Sequence, residues 1–513
     1  MSGTLKNIVP VTLNVEGRNI CLVSDMKSEL AYASFLLRGG YYTESDIQHV
    51  GITHLIEHII FESWAKCYKD KHKHDSKHNS LHTLIKLSHR SKRHNHNIRT
   101  SSKKNSQGNQ PKPGTPKSCL QFWNNRPVMY NGHTRVQSVD VFMYGLASDA
   151  PLIVDYITQM ICNCPKHLNL KMLDHIKNTV LTELIASQSN STNKLQNELI
   201  YKQTGSKLHD AIGSRHYMNI TRQIENLKKL TPQDINDYYY RYFTIENAVF
   251  FYGGCISEAQ VRKSISLHNA HSKRFPPSMH SSSHANHVVF DPKKLFSDEF
   301  IVCSPNKKEK YPTTVIKDPS VKNNAVFTLM FPMEQSLDGN YINTRSVLYQ
   351  LQLSIFSMVT SSELLELLRH HYNLVYGIYA RCVIYSGINV FKISGTCSPS
   401  HVKQVIEICK LYVNQRKHKP LPNETVKSEK GKFKLSSFIE SVSLSNVMTY
   451  YEGIVYTSMV SNSSKTIHDI INDSKFESYH DCINYVDRVS PLDIMNHFKR
   501  ICMSNMVAGY VVK

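Results

Sequence analysis

One segment limits the fold of this chain more than any other, the run GITHLIEHIIFES at residues 51–63. Its apolar residues recur at three- and four-residue spacing, which predicts a helix packed inside a core. Three polar side chains, His54, Glu57 and His58, interrupt that apolar surface. Polar groups on a buried helix need partners, because an unpaired polar group inside a protein costs free energy. The chain is therefore expected to bring another polar element against this helix.

The spacing of His54 and His58 fits a shared metal ion. Residues i and i+4 project from one face of a helix, so both imidazoles can reach the same ion. The pattern H-x-x-E-H is the inverted form of the zinc-peptidase motif H-E-x-x-H. In such sites the carboxylate takes a proton from a water molecule that zinc has made acidic, and Glu57 is the candidate for this base. The alternative is two exposed histidines beside a solvated glutamate, in a chain that contains 27 histidines.

The formal charge of +20 is concentrated in one tract. Residues 63–117 hold 14 Lys and Arg against two Asp, a net charge of +12, so about +8 remains for the rest of the chain. Residues 65–116, rich in Lys, His, Ser and Asn, are interpreted as a disordered insertion, because such a composition cannot build a core. A nucleic-acid-binding protein remains an alternative that this tract alone would support, and no charge field over the whole chain indicates it.

The remaining sequence predicts two related α+β halves. Strand patterns at 9–23, 31–38, 131–146 and 248–254 alternate with helical patterns in the first half, and a similar order recurs after residue 320. The fold class is therefore predicted to be α+β, with two homologous sandwich halves in which an antiparallel sheet packs against helices. The predicted domains are 1–269 with the metal site, a linker at 270–310, and 311–513.

The run LLRGGYYTESDIQHVGITHLIEHIIFE, residues 36–62, resembles the insulinase/pitrilysin metallopeptidases, a family that includes the mitochondrial processing peptidases. The third zinc ligand of that family lies in a V-x-x-E-[LIM] helix, which Val180 to Leu184 match and which points to Glu183. The 125 positions from His58 to Glu183 exceed the family's spacing, but 73 remain once residues 65–116 are removed. The resemblance covers nearly the whole chain outside that tract. It implies zinc ligands at His54, His58 and Glu183.

The resemblance implies further site residues. Residues 130–142 are similar to the family's Asn-Ala-x-Thr strand, whose edge pairs with the substrate backbone, so Asn131 and Thr134 are expected to bind substrate. The segment 361–380 is similar to the one that carries an Arg and a Tyr near the substrate carbonyl, here Arg369 and Tyr376. Three positions depart from the family pattern. Gly132 and Gln137 differ from it in the strand segment, and Ile176 stands where a supporting glutamate is often found.

From the resemblance we expect half of a clamshell fold and a zinc metalloendopeptidase that holds one zinc ion per chain. Its substrates would be peptides or unfolded protein segments, and Arg369 and Tyr376 would complete the zinc site of a partner in a homodimer or a heterodimer. A catalytically weak scaffold or processing-complex subunit is the alternative. No membrane span, signal peptide or transit peptide is recognised, which favours the cytoplasm. Scattered cysteines without a CxxC pair favour reduced thiols over a disulfide scaffold.

Overall fold

The computed structural model describes twelve stretches of the chain. They are residues 7–44, 49–61, 126–135, 137–163, 170–204, 220–272, 312–321, 323–333, 347–385, 388–461, 465–474 and 476–513. The basic tract predicted at 65–116 lies outside the described residues, as does most of the linker predicted at 270–310.

The first sheet has six strands in the order β1-β2-β6-β3-β5-β4. Strands β2 and β6 are parallel, and the other neighbours are antiparallel. The single strand predicted at 9–23 is a hairpin, because Glu16 and Gly17 both have positive φ angles, as a tight two-residue turn requires. The strands are β1 Val11–Val15, β2 Arg18–Ser24, β3 Leu30–Arg38, β4 Val128–Thr134, β5 Ser138–Leu146 and β6 Ala248–Gly254.

The second sheet has five strands in the order β7-β11-β8-β10-β9. Strands β7 and β11 are parallel, and the other pairs are antiparallel. Strand β4 ends the first sheet and β9 ends the second, so both are edge strands of the described sheets. The strands are β7 Thr314–Lys317, β8 Ala325–Pro332, β9 Val375–Tyr385, β10 Ile388–Cys397 and β11 Val507–Val512.

Helices cover the sheets and supply most of the cores. In the N-terminal half they are α1 Ile52–Phe61, α2 Ala150–Asn163, α3 Leu170–Ser189, α4 Ser191–Thr204, α5 Ile220–Lys229, α6 Pro232–Tyr242 and α7 Glu258–Ser272. In the C-terminal half they are α8 Val347–Leu365, α9 Val402–Arg416, α10 Asn423–Glu440, α11 Leu444–Ser461, α12 Ile467–Asp473, α13 Tyr479–Asn484 and α14 Pro491–Lys499.

Each sheet has one face covered by helices of its own half. In the first core, Phe35 of β3 and Val141 of β5 pack with Ile56 of α1 and with residues of α2 and α3. In the second core, Phe391 of β10 packs with Phe356 of α8 and with residues of α9 and α14. The alternation of side chains along each strand places these apolar residues on one face of the sheet.

The opposite faces are covered by helices from the other half of the chain. Tyr451 of α11, with residues of α12 and α13, packs on Phe251 and its neighbours in the first sheet. Leu195 and Leu199 of α4 pack on Met330 of the second sheet. The strands of the two sheets fall within the predicted segments 1–269 and 311–513. The exchange of covering helices between the halves was not predicted.

The fold-class prediction is confirmed, since two sheets pack against helices in a mixed α/β architecture. Among the described helices, one, Leu348–His371, has the length and apolar composition to cross a membrane. Its side chains Phe356, Val359 and Leu364 lie in the second core, so it packs as a core helix.

Free thiols are present at Cys21, Cys255, Cys382, Cys397, Cys409 and Cys482. Cys502, by contrast, is disulfide-bonded, which the sequence did not predict.

Candidate metal centre

Helix α1 is fixed at its N-terminus by a buried carboxylate. Gly51 has a φ angle of +94°, in the left-handed region that favours glycine, and the helix starts directly after it. Glu44 is fully buried and accepts hydrogen bonds from the backbone N–H groups of Gly51 and Thr53, both at 2.9 Å. These N–H groups have no partner inside the helix, and the helix dipole favours a negative charge near them. Glu44 thus holds the start of the helix that carries His54 and His58.

Burial raises the pKa of Glu44 to about 7, although the two backbone N–H groups oppose the shift. Hydroxyl groups pack beside it, with the Tyr238 hydroxyl 2.6 Å from that of Thr43 and 2.9 Å from that of Thr53. The sequence analysis did not single out Glu44. An acidic residue shortly before a helix start is the signal that could have found it.

His54, His58 and Glu183 come together as a cluster of three possible ligands. The two Nε2 atoms are 3.3 Å apart, and Oε2 of Glu183 lies 3.5 Å from Nε2 of His54 and 3.3 Å from Nε2 of His58. Tetrahedral zinc with ligands at about 2.0–2.1 Å requires neighbouring ligand atoms about 3.3–3.4 Å apart. The observed separations agree with that requirement. The two nitrogens and one oxygen therefore fit a zinc ion.

The electrostatics of the cluster favour the protonation states that bind a metal. Burial lowers the pKa of His58, and the neighbouring His54 lowers it further by a smaller amount. Hydrogen bonding to His54, against the opposing effect of burial, lowers the pKa of Glu183. A neutral imidazole and an ionised carboxylate are the forms that coordinate metal ions. Nδ1 of His54 is buried and has no hydrogen-bond partner in the described part of the chain.

Helix α3 carries Glu183 to this position because its apolar side is fixed in the first core. Ile176, Val180 and Leu184 are buried there, and Glu183 projects beside this apolar row with 51% of its side chain exposed. The residue at the position of the family's supporting glutamate, Ile176, therefore packs with the core. Asp174, the acidic residue two positions before Ile176, is exposed.

Glu57 lies on α1 next to the ligands but turns toward strand β4. It is buried, with 6% of its surface exposed, and its Oε2 accepts a hydrogen bond of 2.6 Å from the hydroxyl of Thr134. Burial raises the pKa of Glu57, while His54 and the Thr134 hydroxyl lower it. A carboxylate in this setting is suited to accept a proton and to release it again.

The two residues predicted to bind substrate, Thr134 and Asn131, lie on opposite faces of strand β4. Thr134 faces α1 and contacts Glu57, whereas Asn131 is an odd number of positions away and faces the opposite side of the sheet. The Asn131 side chain is exposed and accepts a hydrogen bond of 2.9 Å from the N–H of Gly132. On the same side, His133 pairs with the buried Asp140 at 2.8 Å. Strand β4 is an edge strand of the described first sheet, and the predicted pairing of this strand with a substrate backbone requires such an edge.

Arg369 and Tyr376 lie in the second half. Arg369 is exposed in a π-helical turn, Glu366–His371, that follows α8. Tyr376 is on the edge strand β9, with 56% of its surface exposed. Within the described stretches, no hydrogen bond or ion pair joins either side chain to the cluster of His54, His58 and Glu183. The two residues are thus available on the surface.

Part of the chain matches a known family of sequences. A family described as "Peptidase M16 inactive domain" matches residues 229–433, which extend from the end of α5 into α10 and exclude the helix with His54. No curated protein matches the sequence. The match concerns a domain that is called inactive in its description, and the candidate metal centre lies outside it.

Several solved structures share the fold over almost the whole chain. A protease from Helicobacter pylori has a TM-score of 0.60 and 11% identity, and the alignment covers 99% of this chain and 100% of that one. The peptidase M16 inactive domain from Pseudomonas fluorescens has a TM-score of 0.61 and 11% identity, with 98% of each chain covered. The chain has the half-clamshell fold of M16 peptidases. These structures, at 11% identity, show the fold, and the matched domain is confined to residues 229–433.

A chain of complex III2 from Candida albicans also shares the fold, with a TM-score of 0.60 and 10% identity over 98% of this chain and 95% of that one. The structures that resemble this chain thus include a protease and a member of a multiprotein complex.

Proposed function

We propose that this chain is a zinc-dependent metalloendopeptidase. The observation that carries the proposal is the agreement between the three ligand-atom separations in the cluster, 3.3–3.5 Å, and those that tetrahedral zinc requires. His54, His58 and Glu183 would hold one zinc ion per chain. When bound, zinc supplies a Lewis acid that polarises the substrate carbonyl and makes a water molecule acidic.

In the proposed reaction, Glu57 moves the proton. It accepts the proton of the attacking water and gives it to the nitrogen of the leaving amine, so one carboxylate acts first as base and then as acid. Burial favours the first step, because the raised pKa of Glu57 makes its carboxylate a stronger base. The hydroxyl of Thr134, 2.6 Å from the carboxylate, holds it while it is ionised.

The proposed substrates are peptides or extended protein segments. Strand β4 ends the first sheet beside Glu57, and an extended peptide could add to this edge by backbone hydrogen bonding. We propose that Thr134 acts on the face of β4 that contacts Glu57, where the reaction takes place. Asn131 would bind the substrate on the opposite face of the strand. Arg369 and Tyr376, exposed in the second half, would complete the zinc site of a partner chain.

The second candidate function is a subunit of a processing complex with weak or no catalysis. Two observations favour it, the match to a domain called inactive and the likeness to a chain of complex III2. The two functions differ in a single property, the cleavage of peptide bonds at the cluster.

Zinc content and peptide cleavage of the wild type, Glu57→Gln and Glu424→Gln distinguish these functions. Glu424 is exposed on α10 and serves as the matched control. We expect about one zinc ion per chain in all three proteins, cleavage by the wild type and the control, and a loss of about 100-fold or more in kcat for Glu57→Gln. A wild type that binds zinc but cleaves no extended peptide would favour the complex subunit. A wild type that binds no zinc would refute the metal centre.

A further inference from the structure

The inner face of β4 is shaped around the carboxylate of Glu57. Tyr130, Gly132 and Thr134 alternate along the strand and therefore face α1 together. The Tyr130 ring lies 5.8 Å from that of Phe61, and the Thr134 hydroxyl donates to Glu57 at 2.6 Å. Because Glu57 and Phe61 are one helical turn apart, α1 presents both to the same strand.

Gly132 leaves the space that this arrangement needs. A Cβ atom at residue 132 would lie 2.6 Å from Oε1 of Glu57 and 2.8 Å from Cε2 of Phe61. Both distances are shorter than the contacts that carbon atoms tolerate, so any larger residue would displace the carboxylate or the ring.

We propose that Gly132 and Thr134 form a contact that positions Glu57, with Thr134 as a positioning residue for the base and Gly132 as the residue that admits the carboxylate. This inference rests on the proposed function of Glu57. In this contact, Oε2 of Glu57 accepts the hydrogen bond from Thr134, and Oε1 of Glu57 lies against the backbone of β4 at Gly132. A long side chain that would otherwise sample several rotamers is thereby held in one place.

The contact also links the base to the strand that is proposed to bind substrate. A peptide added to the edge of β4 would take its register from the same residues that hold Glu57. The position of the base and the position of the scissile bond would then be fixed by one element, and such alignment is a large part of catalytic rate enhancement.

The test compares Thr134→Val, Thr134→Ser, Gly132→Ala and the control Met129→Leu in the zinc-loaded protein. Met129 is on the same strand, exposed and on the opposite face. We expect Thr134→Val to lower kcat about 10- to 100-fold with KM and zinc content unchanged, because a hydrogen bond to a charged group is lost. Thr134→Ser restores kcat to within about threefold of the wild type, since it keeps the hydroxyl. Met129→Leu keeps the wild-type kcat.

Gly132→Ala is also examined in a crystal structure of the metal-free protein, where we expect Glu57 to have turned away from Thr134. A wild-type kcat in Thr134→Val, loss of zinc together with kcat in that variant, or a Glu57 still bonded to Thr134 in Gly132→Ala would each overturn the inference. A wild type without cleavage would refute the proposed function instead, and the crystal structure would still decide whether the contact positions Glu57.

Discussion

Replacing Glu452 with glutamine should stabilise the protein by an amount that grows with pH. Glu452 lies on α11, which covers the first sheet, and its Oε1 accepts hydrogen bonds from the hydroxyls of Tyr32, at 2.8 Å, and Ser34. Burial raises the pKa of Glu452 to about 7 from its ordinary value of 4.5, and the two hydroxyls oppose this shift. Glutamine keeps an oxygen that can accept from both hydroxyls and carries no charge.

The magnitude follows from the pKa values of the folded and unfolded states. The folded pKa is raised, so the carboxyl group causes no penalty below about pH 4.5, and stability is lost as the pH rises toward about 7. At about 1.36 kcal/mol for each pKa unit, the loss between pH 5 and pH 8 is about 2.5 kcal/mol. The glutamine side chain does not titrate, so Glu452→Gln does not lose this stability as the pH rises. For a cooperative unit of several hundred residues, the difference corresponds to about 3 °C in Tm.

Thermal unfolding of the wild type, Glu452→Gln and the exposed control Glu424→Gln at pH 5 and pH 8 tests this reasoning. The other titrating groups are common to the three proteins, so their effects cancel in the differences. We expect the Tm of Glu452→Gln to exceed that of the wild type by about 3 °C more at pH 8 than at pH 5, and Glu424→Gln to follow the wild type. An equal difference at both pH values would refute the argument, since it would mean that folding does not raise the pKa of Glu452.

Two further predictions concern the proposed centre. Glu183→Gln should lower zinc affinity about 10-fold or more, because an amide oxygen is a weaker ligand than a carboxylate. The control Thr182→Ala, at an exposed neighbouring residue, should bind zinc as the wild type does. Competition with a chelator measures both affinities, and equal values for Glu183→Gln and the wild type would exclude Glu183 as a ligand. If Arg369 and Tyr376 serve a partner's zinc site, a mixture of Glu57→Gln with a double variant of those two residues should regain about a quarter to a half of wild-type activity, and no recovery in mixed dimers would contradict that arrangement.

The sequence located the residues of the candidate site better than it described their surroundings. His54, Glu57 and His58 could be found from helical spacing, because three polar groups on an apolar helix need partners. Glu183 required the family resemblance, since one acid on an amphipathic helix has no local signal. The structure brings His54, His58 and Glu183 into one cluster.

Other features depend on contacts between distant segments, which a periodic pattern does not encode. Glu44 lies seven positions before Gly51 and still contacts it, and the choice of which face of β4 turns toward α1 depends on how the first sheet packs against that helix. The fold class followed from the alternation of strand and helix patterns. The helices exchanged between the halves did not, because an apolar helix does not specify which sheet it will cover.

The exchanged helices have a consequence for synthesis on the ribosome. The first sheet is complete once residue 254 has emerged, yet one of its faces stays uncovered until α11 to α13, which end at Asn484, are made. At about 5–20 residues per second, this apolar surface is exposed for roughly ten seconds or more. During that interval the nascent N-terminal half can bind chaperones or aggregate, and translation of residues 444–484 ends that exposure.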